Sequence, residues 1–225
     1  MASLQQTVIR TQRTEAVLAT NKLIRNTYTL LAMTLAFSAV TAGVAMVLNM
    51  PPLHWLVTLG GYFGLLFLTY KCANSAMGLA CVFALTGFMG LTLGPIISFY
   101  LQAFSNGSQL VMMAFGGTAA IFLGLSGYAL TTKRDFSFLG GFLMVGILVA
   151  FLAGIGAMMF SIPGLSLAVS AMFILLMSGL ILFQTSQLVH EPNTNYILAT
   201  VSLYVSIFNL FLSLLHIFGI FGGEE

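Results

Sequence analysis

Between Asn26 and Gly222 the chain is charged at only five positions, Lys71, Lys133, Arg134, Asp135 and Glu191, and all five stand in short polar breaks between long apolar runs. The runs cover residues 27–48, 53–70, 77–101, 109–131, 138–160, 165–188 and 196–220. A helix needs ~20 apolar residues, at 1.5 Å each, to cross a hydrocarbon core, and each run approaches or exceeds that length. Charged residues make up 5% of the 225 positions, against about a quarter in a soluble domain. That is too little to cover a water-facing surface, so the apolar surface must meet lipid. The expected fold class is an all-α membrane protein of seven transmembrane helices. A polar segment, residues 1–26, precedes the helices and is expected to be unstructured, because it lacks apolar periodicity. A short tail, residues 221–225, follows them. The first run is long and begins only after that polar stretch, so it reads as a retained span and not as a cleaved leader.

The breaks carry turn chemistry: Asn49-Met50-Pro51-Pro52, residues 71–75, Ser105-Asn106-Gly107-Ser108, Lys133-Arg134-Asp135, Pro163-Gly164 and residues 190–195. Pro95 falls inside the third run and is expected to kink that helix, since it removes one ladder hydrogen bond. Every Lys and Arg lies on one side. Arg10, Arg13, Lys22 and Arg25 precede span one, Lys71 follows span two, and Lys133 and Arg134 follow span four. The breaks after spans one, three and five hold none. Positive charge marks cytoplasmic loops, so the N-terminus is expected in the cytoplasm and the C-terminus outside. An even number of spans would reverse the C-terminus.

Small residues recur at helical spacing: Ala32, Ala36, Ala39 and Gly43 in span one, Gly60 and Gly64 in span two, and Ala76, Ala80, Ala84, Gly87 and Gly94 in span three, with Gly90 and Gly94 also a GxxxG pair. Span four has Gly116, Ala120, Gly124, Gly127 and Thr131, and span five Gly146, Ala150, Ala153 and Ala157. Small residues let helix backbones approach in lipid, so these rows point to close packing and to no site.

Span seven differs. Asn195, Ala199, Ser202, Ser206, Asn209, Ser213 and His216 form a polar or small stripe along its length. Such a stripe cannot face lipid. It either hydrogen-bonds to neighbouring helices or lines a cavity, and both put span seven at the centre of the bundle.

Several chemistries lack their residues. No Asp, Glu, Lys or Arg falls inside a run, which disfavours an ion-coupled proton relay. There is no HExxH, GxSxG or Walker pattern. Cys72 and Cys81 have no CxxC or Cys/His cluster around them, so no metal or cofactor is expected. His54 and His216 lie toward the outer side and read as interfacial or hydrogen-bonded histidines. No basic run with interleaved aromatics suggests nucleic acid.

A set of short motifs is more specific. Phe183-Gln184-Thr185-Ser186 is followed by Asn195-Tyr196-Ile197, Ala199-Thr200, Leu203-Tyr204 and Asn209-Leu210-Phe211; upstream stand Gly94-Pro95-Ile96 and the stretch from Thr132 through Lys133-Arg134-Asp135-Phe136 to Gly141. Together with Arg25-Asn26-Thr27-Tyr28 and Leu35-Ala36-Phe37-Ser38-Ala39, these resemble the Bax inhibitor-1 family over nearly the whole chain, and within it the bacterial YccA-like branch. The resemblance implies six helices around a central seventh, in a bacterial inner membrane. In calcium-leak members of the family, two aspartates on spans six and seven form a pH-sensitive latch. The matching positions are Gln184 and Ser206, neither of which ionises, so calcium conduction and pH gating are in doubt. The branch implies a protein that restrains a membrane-anchored, FtsH-like AAA protease and is also its substrate through the N-terminal segment. The expectation is a non-enzymatic protease modulator, with a cation leak channel as the alternative. The expected latch or cavity lining is Gln184, Ser202, Ser206, Asn209, Ser213 and His216, with Gln184 and Ser206 in contact.

Overall fold

The computed structural model describes the backbone of residues 2–222 and the side chains of residues 17–222. Within them the chain forms seven α-helices: α1 (Ala2–Val47), α2 (Trp55–Cys72), α3 (Met77–Ala103), α4 (Gly107–Thr132), α5 (Leu139–Phe160), α6 (Pro163–His190) and α7 (Tyr196–Gly222). Left-handed residues stop three of them: Asn49 after α1, Lys133 after α4 and Ser161 after α5. The last two give their backbone N–H to Ala129 and Ala157, which closes the final turn. Helix α3 runs unbroken through Pro95, one ladder bond short at Leu91.

Two boundaries differ from the sequence reading. The backbone is helical from Ala2, where an unstructured segment over residues 1–26 is expected; Met1 lies outside the described residues. Neither Gly nor Pro occurs before Gly43, so nothing breaks the helix as it grows outward from the span. Leu23 is the first buried side chain among the described residues, with Ile24 beside the core. At the other end α7 includes Phe221 and Gly222, and residues 223–225 of the expected tail lie outside the described residues.

Six of the seven helices are long and apolar enough to cross a membrane. Helix α2 falls just short: it has 18 residues, and Trp55, Tyr62, Tyr70 and Lys71 dilute its apolar content.

Helix α7 packs against α1, α3, α4 and α6. Of the six helices around it, these four touch it directly, while α2 packs on α3 and α5 on α6. The rings of Phe63 on α2 and Phe151 on α5 meet at 6.4 Å. The seam of α5 is narrow, with Leu143, Ala150 and Ala157 buried one heptad apart. The rest of that helix is apolar and faces outward, which lipid permits and water would not.

The small-residue rows divide in two. On α3, Gly90 lies against Ser38 and Thr41, and Gly94 against Ala42 and Ala45, so α1 and α3 touch backbone to backbone. A methyl group on Gly60, Gly64, Gly116, Gly124 or Gly127 would meet nothing within 4 Å. Those rows hold no internal contact.

A polar seam along the central helix

The motif Phe183-Gln184-Thr185-Ser186 lies in the last turns of α6, all three polar residues being buried. Successive residues on a helix point about 100° apart, so the three reach three different neighbours. Gln184 turns to α7, where Ser206 Oγ donates to Gln184 Oε1 at 3.2 Å. Thr185 shares hydrogen bonds with Tyr28 of α1 at 3.4 Å and Ser126 of α4 at 3.3 Å. Ser186 donates to the Arg134 carbonyl at 3.0 Å and accepts from the Phe136 N–H at 3.1 Å, which fastens the α4–α5 connection. His190, one turn on, contacts the Lys133 carbonyl through Nε2 at 3.2 Å.

Ser206 is fully buried, and its Oγ also stands 2.9 Å from the Ser202 carbonyl. One hydroxyl hydrogen serves one acceptor at a time. With the Gln184 amide turned over, Nε2 donates to Ser206 Oγ and Ser206 donates to Ser202, so both arrangements are satisfied. The pair is neutral in either. Beside it a cavity of about 120 Å³ is lined by Gln184, Gln187, Thr194, Ser202 and neighbouring apolar residues. At ~30 Å³ per water this is room for a few molecules, with polar partners to hold them.

The other expected site residues separate. Asn209 donates to Val205 within its own helix at 2.9 Å, and Ser213 is buried. His216 lies near the far end of α7, with Nδ1 2.7 Å from Ser170 Oγ and Nε2 3.5 Å from Ser166 Oγ. Between the two polar ends stand Met177 and Ile181 of α6 and Leu210 and Leu214 of α7, all buried. The stripe read from the sequence therefore bonds to α6 at two separate levels, Ser206 with Gln184 and His216 with Ser166 and Ser170, while Asn209 between them bonds within its own helix.

Sequence reasoning missed the bonds made by aromatic and threonine hydroxyls. Tyr204, buried at the centre, pairs with Ser38 of α1 at 2.7 Å and donates to the Thr86 carbonyl of α3 at 3.3 Å. Thr200 donates to the Tyr196 carbonyl at 2.7 Å and reaches the Thr27 carbonyl at 3.2 Å. Asn195 caps α7 by accepting from the Ile197 N–H at 2.8 Å, and donates to the Ala73 carbonyl and to Asn74 Oδ1 in the α2–α3 turn. The signal was present: Tyr204, Thr185 and Ser186 stand in the quoted motifs, but a residue that fits an apolar run gives no hint of its partner.

A larger opening of about 690 Å³ lies between α1 and α4, floored by α3 and α7 and almost wholly apolar. It is larger than the polar cavity but holds no ionisable cluster, and its hydroxyls on Ser38, Thr118 and Tyr204 are already bonded within the bundle. Cys81 is buried and Cys72 partly exposed, both as free thiols, and among the described residues no three of His, Cys, Asp and Glu come together.

With this arrangement in hand, a family model described as inhibitor of apoptosis-promoting Bax1 matches residues 20–223. The chain belongs to the Bax inhibitor-1 family. Among its relatives, the protein of Escherichia coli K12 named modulator of FtsH protease YccA is 52% identical over 91% of this chain and 92% of its own length. An uncharacterized protein of Pseudomonas aeruginosa PAO1 is 53% identical over 90% of each. Mouse protein lifeguard 4 is 32% identical over 85% of this chain and 82% of its own. Membership thus extends from bacterial inner-membrane proteins to a mammalian relative, and the bacterial branch is much the nearer of these.

Proposed function

We propose that the chain is a multi-pass inner-membrane modulator of a membrane-anchored, ATP-dependent AAA protease, and also a substrate of it. The observation that carries this reading is the 52% identity, over nearly the full length of both chains, to a protein named for modulating FtsH protease. The neutral Gln184–Ser206 pair agrees with it, since a hydrogen-bonded amide and hydroxyl hold two helices together without titrating. No catalytic residue is assigned.

The orientation in this proposal has the N-terminus in the cytoplasm and the C-terminus in the periplasm, with α2 as a seventh span. At 18 residues α2 is ~27 Å long, close to the ~30 Å core. Its Lys71 then lies on the same side as Lys22, Arg25, Lys133 and Arg134. Reporter fusions at the two ends test this, and a cytoplasmic C-terminus overturns it.

The N-terminal arm is the proposed grip for the protease. The helical residues ahead of Leu23 span ~30 Å. An isolated helix of that length is marginal in water, so it unravels at small cost to a processive enzyme. Deleting residues 1–19 is expected to lengthen the protein's lifetime in a pulse-chase, whereas equal half-lives rule the grip out. The modulator role is tested by purifying the chain from native membranes in mild detergent. Recovery of the AAA protease supports it, and recovery of the chain without it overturns it.

The polar cavity beside Gln184 favours a second reading, a cation leak. In liposomes loaded with a calcium dye, the natural chain is expected to show little pH-dependent flux, and a Gln184→Asp, Ser206→Asp variant more, because two adjacent carboxylates share a proton and attract Ca²⁺. Clear pH-dependent flux from the natural chain moves the channel ahead of the modulator.

A further inference from the structure

The pair that could have titrated at one end of the α6–α7 seam is neutral, but the other end has a group that ionises. His216 projects from the penultimate turns of α7 toward the first turns of α6, where Ser170 Oγ is 2.7 Å from Nδ1 and Ser166 Oγ 3.5 Å from Nε2. The two serines are four residues apart, on one face of α6, and so take both ring nitrogens of one imidazole. Ser170 is buried and His216 half-buried.

We propose that Ser166, Ser170 and His216 form a proton-operated clasp, which holds the start of α6 against the end of α7 while the imidazole is neutral and releases it on protonation.

The reason lies in the surroundings. A neutral imidazole donates from one nitrogen and accepts at the other, and two hydroxyls, each able to do either, satisfy it in both tautomers. An imidazolium can only donate. The serines can still accept, but among the described residues nothing at that level neutralises the charge. On α6, residues 163–176 contain no acid or base beyond the two hydroxyls. On α1, residues 36–47, and on α4, residues 107–120, there are no charged or titratable residues. On α3, residues 90–103 contain Tyr100 alone, whose ring lies against Gly219, and Asn106 ahead of α4 donates to the Gly222 carbonyl at 2.6 Å. Glu224 and Glu225 follow α7 in the sequence and lie outside the described residues. A cation without a partner in an apolar seam is expensive. His216 is close enough to the helix end to turn out to the interface, and doing so breaks both serine contacts. Histidine is the side chain whose ordinary titration falls between about pH 5 and 8, and the cost of a cation in the seam sets the release toward the acid end of that window.

The test uses the full chain in lipid nanodiscs and needs no protease, so it stands or falls apart from the proposed function. Hydrogen exchange is followed over residues 163–173 and 212–222 at about pH 8 and about pH 5, corrected for the intrinsic pH dependence of exchange. The expected result is a loss of protection of about fivefold or more at the lower pH, absent in His216→Gln and retained in a Glu224→Gln, Glu225→Gln variant. Ser170→Ala should be less protected at both pH values and have lost the response. Imidazole NMR signals of the unaltered protein, with His54→Gln and His190→Gln used to assign them, should include a His216 resonance that titrates over the same range. Protection that does not change with pH, a response that survives His216→Gln, or a His216 signal that stays neutral at about pH 5 would each overturn the clasp.

Discussion

The clearest test of the fold sets two kinds of helical glycine against each other. At Gly94 an added methyl would lie 2.6 Å from Ala45 Cβ and 2.7 Å from the Ala42 carbonyl. Ordinary contact begins near 3.4 Å, so α1 and α3 would have to part locally by about 0.8 Å. At Gly90 the methyl would meet the Ser38 carbonyl and Thr41 Oγ1. The carbonyl cannot turn aside, and Thr41 would give up its 3.0 Å bond to Ser38. Parting two packed helices by that amount forfeits a quarter to a half of the dispersion energy of each contact involved. Overpacking of this kind costs roughly 1–3 kcal/mol, which for a chain of this size lowers the melting temperature by about 2–12 °C. Gly116 and Gly124 have nothing within 4 Å of such a methyl. There, Gly→Ala relieves the helix of a poor former and is expected to be neutral or to gain up to about 1 kcal/mol. Thermal unfolding of Gly90→Ala, Gly94→Ala, Gly116→Ala and Gly124→Ala in one detergent, read by the loss of the monodisperse peak on size exclusion, separates the pairs. If all four variants melt alike, the backbone contact between α1 and α3 is wrong, and with it the position of Ser38 beside Tyr204.

Other outcomes follow from single contacts. Tyr204→Phe removes the hydroxyl between Ser38 and the Thr86 carbonyl and should cost about 1–2 kcal/mol, whereas Tyr204→Ala, which opens a cavity at the centre, should cost about 3–5 kcal/mol; equal losses in thermal unfolding would show that packing contributes nothing beyond the bond. Asn195→Ala removes the cap of α7 and its tie to the α2–α3 turn, and should cost about 0.5–2 kcal/mol and raise hydrogen exchange over residues 196–199, leaving residues 210–215 unchanged. The Asp135 carboxyl accepts from the Ser137 hydroxyl and N–H, which hold its pKa below the ordinary carboxylate value of 3.8. A depressed value in the folded state means that the contact is complete above the ordinary value and is lost only as pH falls through the folded one. Exchange over residues 136–140 should therefore stay flat from neutral pH down to about pH 4 and rise below it, and in Asp135→Asn it should be raised already at neutral pH.

Seven helical runs, their approximate ends and the asymmetry of positive charge were legible in the sequence, because lipid leaves a backbone no option but to satisfy itself within each segment. The central position of α7 was legible too, since a stripe of Ser and Asn cannot face hydrocarbon. The contact between Gln184 and Ser206 was implied by the family resemblance, through the positions that match its latch. The helical continuation of α1 was not read, because a polar composition suggests disorder, while the absence of Gly and Pro lets a helix propagate.

Tertiary structure alone decided which small residues are contacts. The rows on α3 and on α4 look alike as strings, yet Gly90 and Gly94 touch α1 while Gly116 and Gly124 touch nothing. The same holds for the stripe on α7. Its residues share a face by helical periodicity, but α6 presents Gln184 at one level, apolar side chains at the next and Ser170 beyond them, so the stripe bonds to α6 at two separate levels. Periodicity fixes the direction in which a side chain points. What it meets there depends on the register and crossing of a second helix, and no local pattern in the first one encodes that.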